Sequence, residues 1–178
     1  RKSMLLKMMD SMMTEMDSVS LDASVAGDFL RQMIPHHQAA IEMSNNLLQY
    51  TTFVPLQNIA AHIIASQTKS IADMRAALAQ CSELPNTEQE LCLYARRFEQ
   101  ITQTMFTDMG NATATNHLNC NFMREMIPHH RGAIQMAENT LRFPICPALV
   151  PILQSIITSQ QEGVCKMERL LCSLNCAQ

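Results

Sequence analysis

The chain predicts an all-α fold, a four-helix bundle made of two repeated helical hairpins, and three observations carry that prediction. Met33-Ile34-Pro35-His36-His37, followed by Ala40-Ile41 and Met43, returns as Met126-Ile127-Pro128-His129-His130, followed by Ala133-Ile134 and Met136. The offset of 93 residues holds well outside the motif, since Ile63-Ile64 match Ile156-Ile157, Ser66-Gln67 match Ser159-Gln160, and Met12 and Met16 match Met105 and Met109. An internal repeat of this length limits the architecture before any element is assigned. Apolar residues recur at spacings of three and four, and no strand-like alternation survives anywhere.

The elements follow in chain order. Residues 3–17 carry Met4, Met8, Met9, Met12, Met13 and Met16, which fall on one broad helix face. A long helix of about 24–50 holds the first motif and stops before Thr51-Thr52-Phe53-Val54-Pro55, where proline suits the first turn of the next helix. That helix, about 55–80, buries Ile59, Ile63, Ile64, Ile71, Met74 and Leu78. Pro85-Asn86-Thr87 breaks the chain, and Thr87 with Glu90 forms a capping box for a helix of about 88–109. Gly110 to Thr115 is a turn, and helices of about 117–142 and 148–173 repeat the earlier pair. The expected units are therefore 1–22, a Met-rich N-terminal helix, 23–81, the first repeat, 82–116, a connector with a crossover helix, and 117–178, the second repeat, with the repeats packed as one compact body.

Composition excludes several classes. A net charge of -3 and a pI near 6.1 give no reason to expect nucleic acid or an anionic membrane as partner. No run approaches 18 apolar residues, so no membrane span is expected. Arg1-Lys2-Ser3 is followed by methionines broken by Lys7 and Asp10, so the sequence reads as a mature or trimmed chain. The seven cysteines contain no CxxC pair, which argues against a zinc knuckle or a thioredoxin-like motif. Three disulfides with one thiol, or two with three, suit an oxidising, extracytoplasmic location, whether periplasmic, secreted or on the cell surface. The best single pair is Cys81 with Cys92, which would close a short loop worth about 3 kcal/mol. One of Cys172 and Cys176 is expected to pair with Cys120, while Cys146 and Cys165 have no preferred partner.

The motif carries the chemistry. On a helix Met33 lies one turn from His36 and His37, and Met43 two turns beyond His36, so thioethers and imidazole line one stripe. Adjacent histidines point about 100° apart, so at most one of each pair can face the bundle axis while the other meets a neighbouring helix or solvent. Pro35 removes the N–H that would reach the Arg31 carbonyl, and Pro128 does the same to Arg124, so each helix should kink beside its histidines. The candidate metal ligands are His36, His37, Met33 and Met43 with His129, His130, Met126 and Met136, and Met12, Met16, Met105 and Met109 are further thioethers. Methionine stripes are more often core filler, the reading given to Met74 and Met167, and the single histidines His62 and His117 are read as ordinary ones. Thioethers select Cu(I), imidazoles accept Cu(II) and zinc as well, and carboxylates suit iron. The acids of the paired helices do not repeat, since Glu42 matches Gln135, Glu125 matches Gln32, Glu162 matches Lys69 and Asp73 matches Lys166. Soft ligands therefore outweigh a di-iron centre, copper is the expected metal with Cu(I) favoured over Cu(II), and zinc ranks below both. Imidazole sites should weaken as histidine protonates near its reference pKa of about 6.5, whereas Met-only sites should persist in acid.

Two Met-Ile-Pro-His-His segments, opened by Asp28-Phe29-Leu30 and Asn121-Phe122-Met123 and closed by Ala-Ile-x-Met, resemble the bacterial secreted family of unknown function numbered three hundred and five. The resemblance covers about 24–80 and 117–173 and implies a ferritin-like helical bundle, with copper binding outside the cytoplasm as in some members. Asp28 fits the acidic position ahead of the motif, but its counterpart is Asn121, so a carboxylate there could act only once. The expected function is extracytoplasmic copper binding for storage, buffering or resistance, with metal ions as the partners and no enzymatic turnover. The alternatives are a ferritin-like metal-dependent redox enzyme and a metal-free helical interaction module.

Overall fold

A computed structural model describes residues 10–12, 14, 23–81, 84–112, 115 and 117–176. Within them, α1 is Val25–Leu48, α2 Val54–Cys81, α3 Glu88–Gly110, α4 Leu118–Thr140 and α5 Leu149–Ser173, and the described residues at 10–14 are helical too. No strand occurs among the described residues. The helix starts follow from local chemistry. Ser24 Oγ accepts the Gly27 N–H at 3.1 Å, which caps α1, and its hydroxyl donates to the Cys81 carbonyl at 3.0 Å, which ties that start to the end of α2. Thr87 Oγ1 accepts the Glu90 N–H at 3.1 Å as the cap of α3, but the Glu90 carboxylate takes the Asn86 side-chain N–H at 2.7 Å, so the expected capping box is half formed. Asn86 also accepts the Val25 N–H at 2.9 Å and donates to the Pro144 carbonyl at 2.8 Å, joining three chain segments through one amide.

The helices assemble as hairpins, α1 on α2 and α4 on α5, and the hairpins pack through α1 on α4 and α2 on α5, while α3 lies along α4. The apolar interior shows how the hairpins are related. One cluster joins Phe29, Leu30 and Met33 from the start of α1 to Met136 and Ala137 from the end of α4. The other joins Phe122, Met123 and Met126 from the start of α4 to Met43 and Leu47 from the end of α1. Matched residues thus exchange clusters, as they must when two copies lie antiparallel about a pseudo-two-fold axis. The motif histidines fall at the crossing. Leu30, Leu47 and Met126 are essentially inaccessible, and each such side chain contributes roughly 1.5–3 kcal/mol by leaving water. Ile63, Ile71 and Met74 are buried as expected, whereas Ile59, Ile64 and Leu78 are half-buried on the flanks of α2. Pro35 and Pro128 are both buried inside helices that pass through them without interruption.

The disulfides correct one expectation. Cys81 is bonded to Cys146, with Cα atoms 5.3 Å apart, and not to Cys92. The reason lies in orientation: Cys92 sits on the exposed side of α3, while the buried end of α2 meets the loop between α4 and α5. Cys120 is bonded to Cys176, one of the two partners expected for it, with Cα atoms 5.8 Å apart. Cys92, Cys165 and Cys172 are free and exposed.

Candidate metal centre

The antiparallel crossing of α1 and α4 brings His36 and His129 face to face, with ring centroids 3.6 Å apart and planes inclined by 19°. Each of these inner imidazoles ends on a thioether. His36 Nε2 lies 3.2 Å from Met105 Sδ, and His129 Nε2 lies 3.2 Å from Met12 Sδ. Met12 and Met105 are matched residues of the repeat, and each serves the histidine of the opposite copy. The outer histidines turn away, with centroids 6.3 Å from their neighbours, as the helical angle between adjacent residues requires. His37 Nε2 reaches Ser70 Oγ on α2 at 3.1 Å. His130 lies over Gly163 on α5, the residue that matches Ser70.

All four imidazoles are buried, at most 2% exposed, and all four Nδ1 atoms lack a hydrogen-bond partner among the described residues. Such an orphaned atom costs about 1–3 kcal/mol, and in the tautomer that leaves the Nε2 lone pair free it is the Nδ1–H that goes unpaired. Burial sets the charge. Desolvation lowers the pKa of His37 to about 3 and of His130 to about 4, and it drives His36 and His129 well down, aided by the neighbouring imidazoles. The expectation that imidazole sites fail near pH 6.5 is therefore corrected, because the folded chain keeps its imidazoles neutral far below that value. A neutral imidazole can present its Nε2 lone pair beside the lone pairs of the sulfur it touches, and that pair of soft donors suits a soft cation.

The remaining candidates are distributed around this centre. Met33 and Met136 lie in the apolar cluster on one side, Met43 and Met126 in the cluster on the other, and all four are at most 2% exposed. Met109 is buried one turn beyond Met105, and Met16 lies outside the described residues. His62 and His117 are exposed, in keeping with their reading as ordinary residues. No group of three or more His, Cys, Asp or Glu able to hold a metal converges among the described residues. The buried Asp28 instead neighbours Tyr94, whose hydroxyl donates to Gln32 Oε1 at 2.8 Å and whose pKa is pushed up by burial first and by Asp28 next. Asn121 does something else, since its side-chain N–H donates to the Thr115 carbonyl at 2.7 Å. Two residues of the site escaped the sequence reading. Ser70 carried no signal, but Gly132, a glycine inside a helical pattern, did. It lies against the Met105 side chain.

Fold and site together define a class: an all-α bundle of two copies of one unit, with imidazole and thioether donors buried where the copies cross. The chain belongs to the family described as domain of unknown function DUF305, which matches residues 2–78 and 95–171. Those bounds are wider than the sequence resemblance and bring the Met12 and Met105 segments inside each copy. No curated protein matches the chain. Among solved structures it is similar to a DUF305 fragment from Deinococcus radiodurans, at 21% identity and a TM-score of 0.60 over 86% of this chain and 99% of that one. It is also similar to CopM in an Ag-bound form, at 26% identity and a TM-score of 0.62 over 83% of this chain and 95% of that one. CopM in the Cu(I)-bound form gives 24% identity and a TM-score of 0.62 over 84% and 96%. No helix among the described residues is long and apolar enough to cross a membrane.

Proposed function

We propose that this protein binds copper, Cu(I) in preference, through two imidazole–thioether pairs, His36 with Met105 and His129 with Met12, and stores or buffers it outside the cytoplasm as part of copper resistance. The observation that carries this reading is the recurrence of one 3.2 Å approach of nitrogen to sulfur at both copies, in a buried and uncharged setting. Charge favours Cu(I). A donor set without anions offers little to a divalent ion that must shed its water, whereas a soft monovalent ion loses less on entering and gains more from sulfur. Cu(II) ranks second for that reason, and zinc, which takes imidazole, thiolate and carboxylate but has little use for a neutral thioether, third. Met33, Met43, Met126 and Met136 act as supplementary sulfurs beside the histidines, and Met109 extends the donor path along α3. Silver-bound and copper-bound structures of CopM support the metal, and two disulfides support an oxidising compartment. The protein acts as a binder and not as a catalyst in this reading. Titration with a competing Cu(I) chromophore tests it: replacing both His36 and His129 by alanine should abolish the tight sites, and unchanged affinity would return the cluster to packing.

A further inference from the structure

We propose that the two imidazole–thioether pairs are unequal and fill in order, His36 with Met105 before His129 with Met12, and that Gly132 is the positioning residue that sets the order. The inference rests on the copper reading above and concerns residues in which the two copies differ. Position 132 on α4 is glycine, while its match on α1 is Ala39. A Cβ added at Gly132 would overlap Met105 Sδ and stand 2.9 Å from Met105 Cγ and 3.3 Å from Met105 Cβ. The thioether of Met105 thus lies in a notch where a methyl group would otherwise be, flat against the backbone of α4, with its sulfur directed at His36. Ala39 keeps that methyl group in the other copy, so the position matching the notch is filled there.

A second difference acts in the same direction. His37, next to His36, is anchored by Ser70 Oγ at 3.1 Å. The residue beneath His130 is Gly163, which has no hydroxyl to offer, and a Cβ there would come within 3.0 Å of His130 Cδ2. His37, the neighbour of His36, is therefore held by a side chain that its match His130 lacks. A methionine loses rotamer freedom when it is fixed. Where the notch has already fixed the sulfur on folding, metal binding has less freedom left to remove, and affinity rises accordingly.

Methyl-labelled methionine resolves the two sulfurs by NMR, with Ag(I) as a soft, redox-inert probe added to the intact protein. The Met105 methyl signal should complete its shift before that of Met12, with midpoints about tenfold apart, the factor given by about 1.4 kcal/mol. Ala39→Gly, which opens the matching notch, should draw the two midpoints together by strengthening the Met12 step alone. Gly132→Ala should weaken the Met105 step and leave that of Met12 in place. Coincident midpoints in the parent, or Met12 shifting first, would overturn the order while leaving metal binding intact. An Ala39→Gly protein whose midpoints stay apart would overturn the role of the notch. Absence of any shift at either methyl would instead sink the copper reading itself, and the proposed order with it.

Discussion

Met12 and Met105 stand at the same 3.2 Å from the inner histidine of the opposite copy, yet one turn away Ser70 anchors His37 while Gly163 lies bare beneath His130. Further out the copies share less still. Cys81 matches Leu174 and Cys120 matches Gly27, so neither disulfide has a counterpart, and the buried Asp28 beside Tyr94 becomes an asparagine that tethers Thr115. The duplicated unit has kept the donors where the two copies cross and has let its supporting residues diverge. A constraint that acts at the crossing, and weakens with distance from it, explains that gradient. In the copper reading a metal held between the copies is such a constraint, and close packing is a second one, since the buried Phe29 matches Phe122, Ile63 matches Ile156 and Met74 matches Met167.

The largest expected effect comes from separating inner from outer histidines. His37→Ala with His130→Ala should weaken Cu(I) binding by about 10–100-fold, the usual effect of removing residues that orient ligands. His36→Ala with His129→Ala should weaken it further, beyond the range of a competing chromophore. Circular dichroism must show both proteins folded. Equal losses from the two pairs would erase the distinction between them.

Acid should act through all four histidines. In the unfolded chain they protonate near pH 6.5, whereas in the folded chain burial holds His130 to about 4 and His37 to about 3, with His36 and His129 also well down. Between those limits the unfolded state binds more protons, so stability is complete above about pH 6.5 and is lost as pH falls, by up to about 1.4 kcal/mol per pH unit for each histidine. Urea midpoints should therefore be flat above neutrality and fall steeply below it. Ring proton signals of His37 and His130 that titrate near 6.5 in the folded protein would show that burial does not control these groups.

The sequence made the repeat, the helix bounds and the histidine pairs legible, because period, proline and capping residues act locally. It did not reveal which sulfur each histidine meets. Met33 and Met43 share a helix with His36 and are its neighbours by spacing, but Met105 reaches it only because α1 and α4 cross antiparallel and α3 lies along α4. The same physics misdirected the cysteines: Cys92 is close to Cys81 along the chain, and a helix turns it outward. The orphaned Nδ1 atoms were likewise invisible, since burial of all four imidazoles depends on the whole assembly.

The disulfides sharpen the contrast between the two ends. Cys81–Cys146 joins the first copy to the second, whereas Cys120–Cys176 lies within the second. Each closes a loop spanning more than fifty residues, with separations of 65 and 56, so removing either by paired serine substitution should cost roughly 2–4 kcal/mol. The location of the damage should differ. Hydrogen exchange should rise at the starts of α1 and α3 when Cys81 and Cys146 are replaced, and at the start of α4 and end of α5 when Cys120 and Cys176 are. The same exchange pattern in both variants would mean that the copies unfold as one unit.

The smallest effect tests divergence at the surface. Lys69 pairs with Asp73 at 2.8 Å along α2, and the matched residues of α5, Glu162 and Lys166, carry the reverse charge order in sequence without an ion pair between them in the structure. An acid placed four residues before a base complements the helix dipole, and the opposite order does not. The first copy therefore carries the poorer arrangement. Exchanging it through Lys69→Glu with Asp73→Lys should raise stability by about 0.3–0.5 kcal/mol, read from urea unfolding at low salt, and the gain should shrink in 1 M salt as the Debye length falls to about 3 Å. Arg131 and Glu168, which pair across α4 and α5 only in the second copy, should likewise matter by less than about 1 kcal/mol when Glu168 becomes Gln. A loss of several kcal/mol from Glu168→Gln would place a structural constraint on the outer face of the second copy, and the decline of constraint with distance from the crossing would not hold.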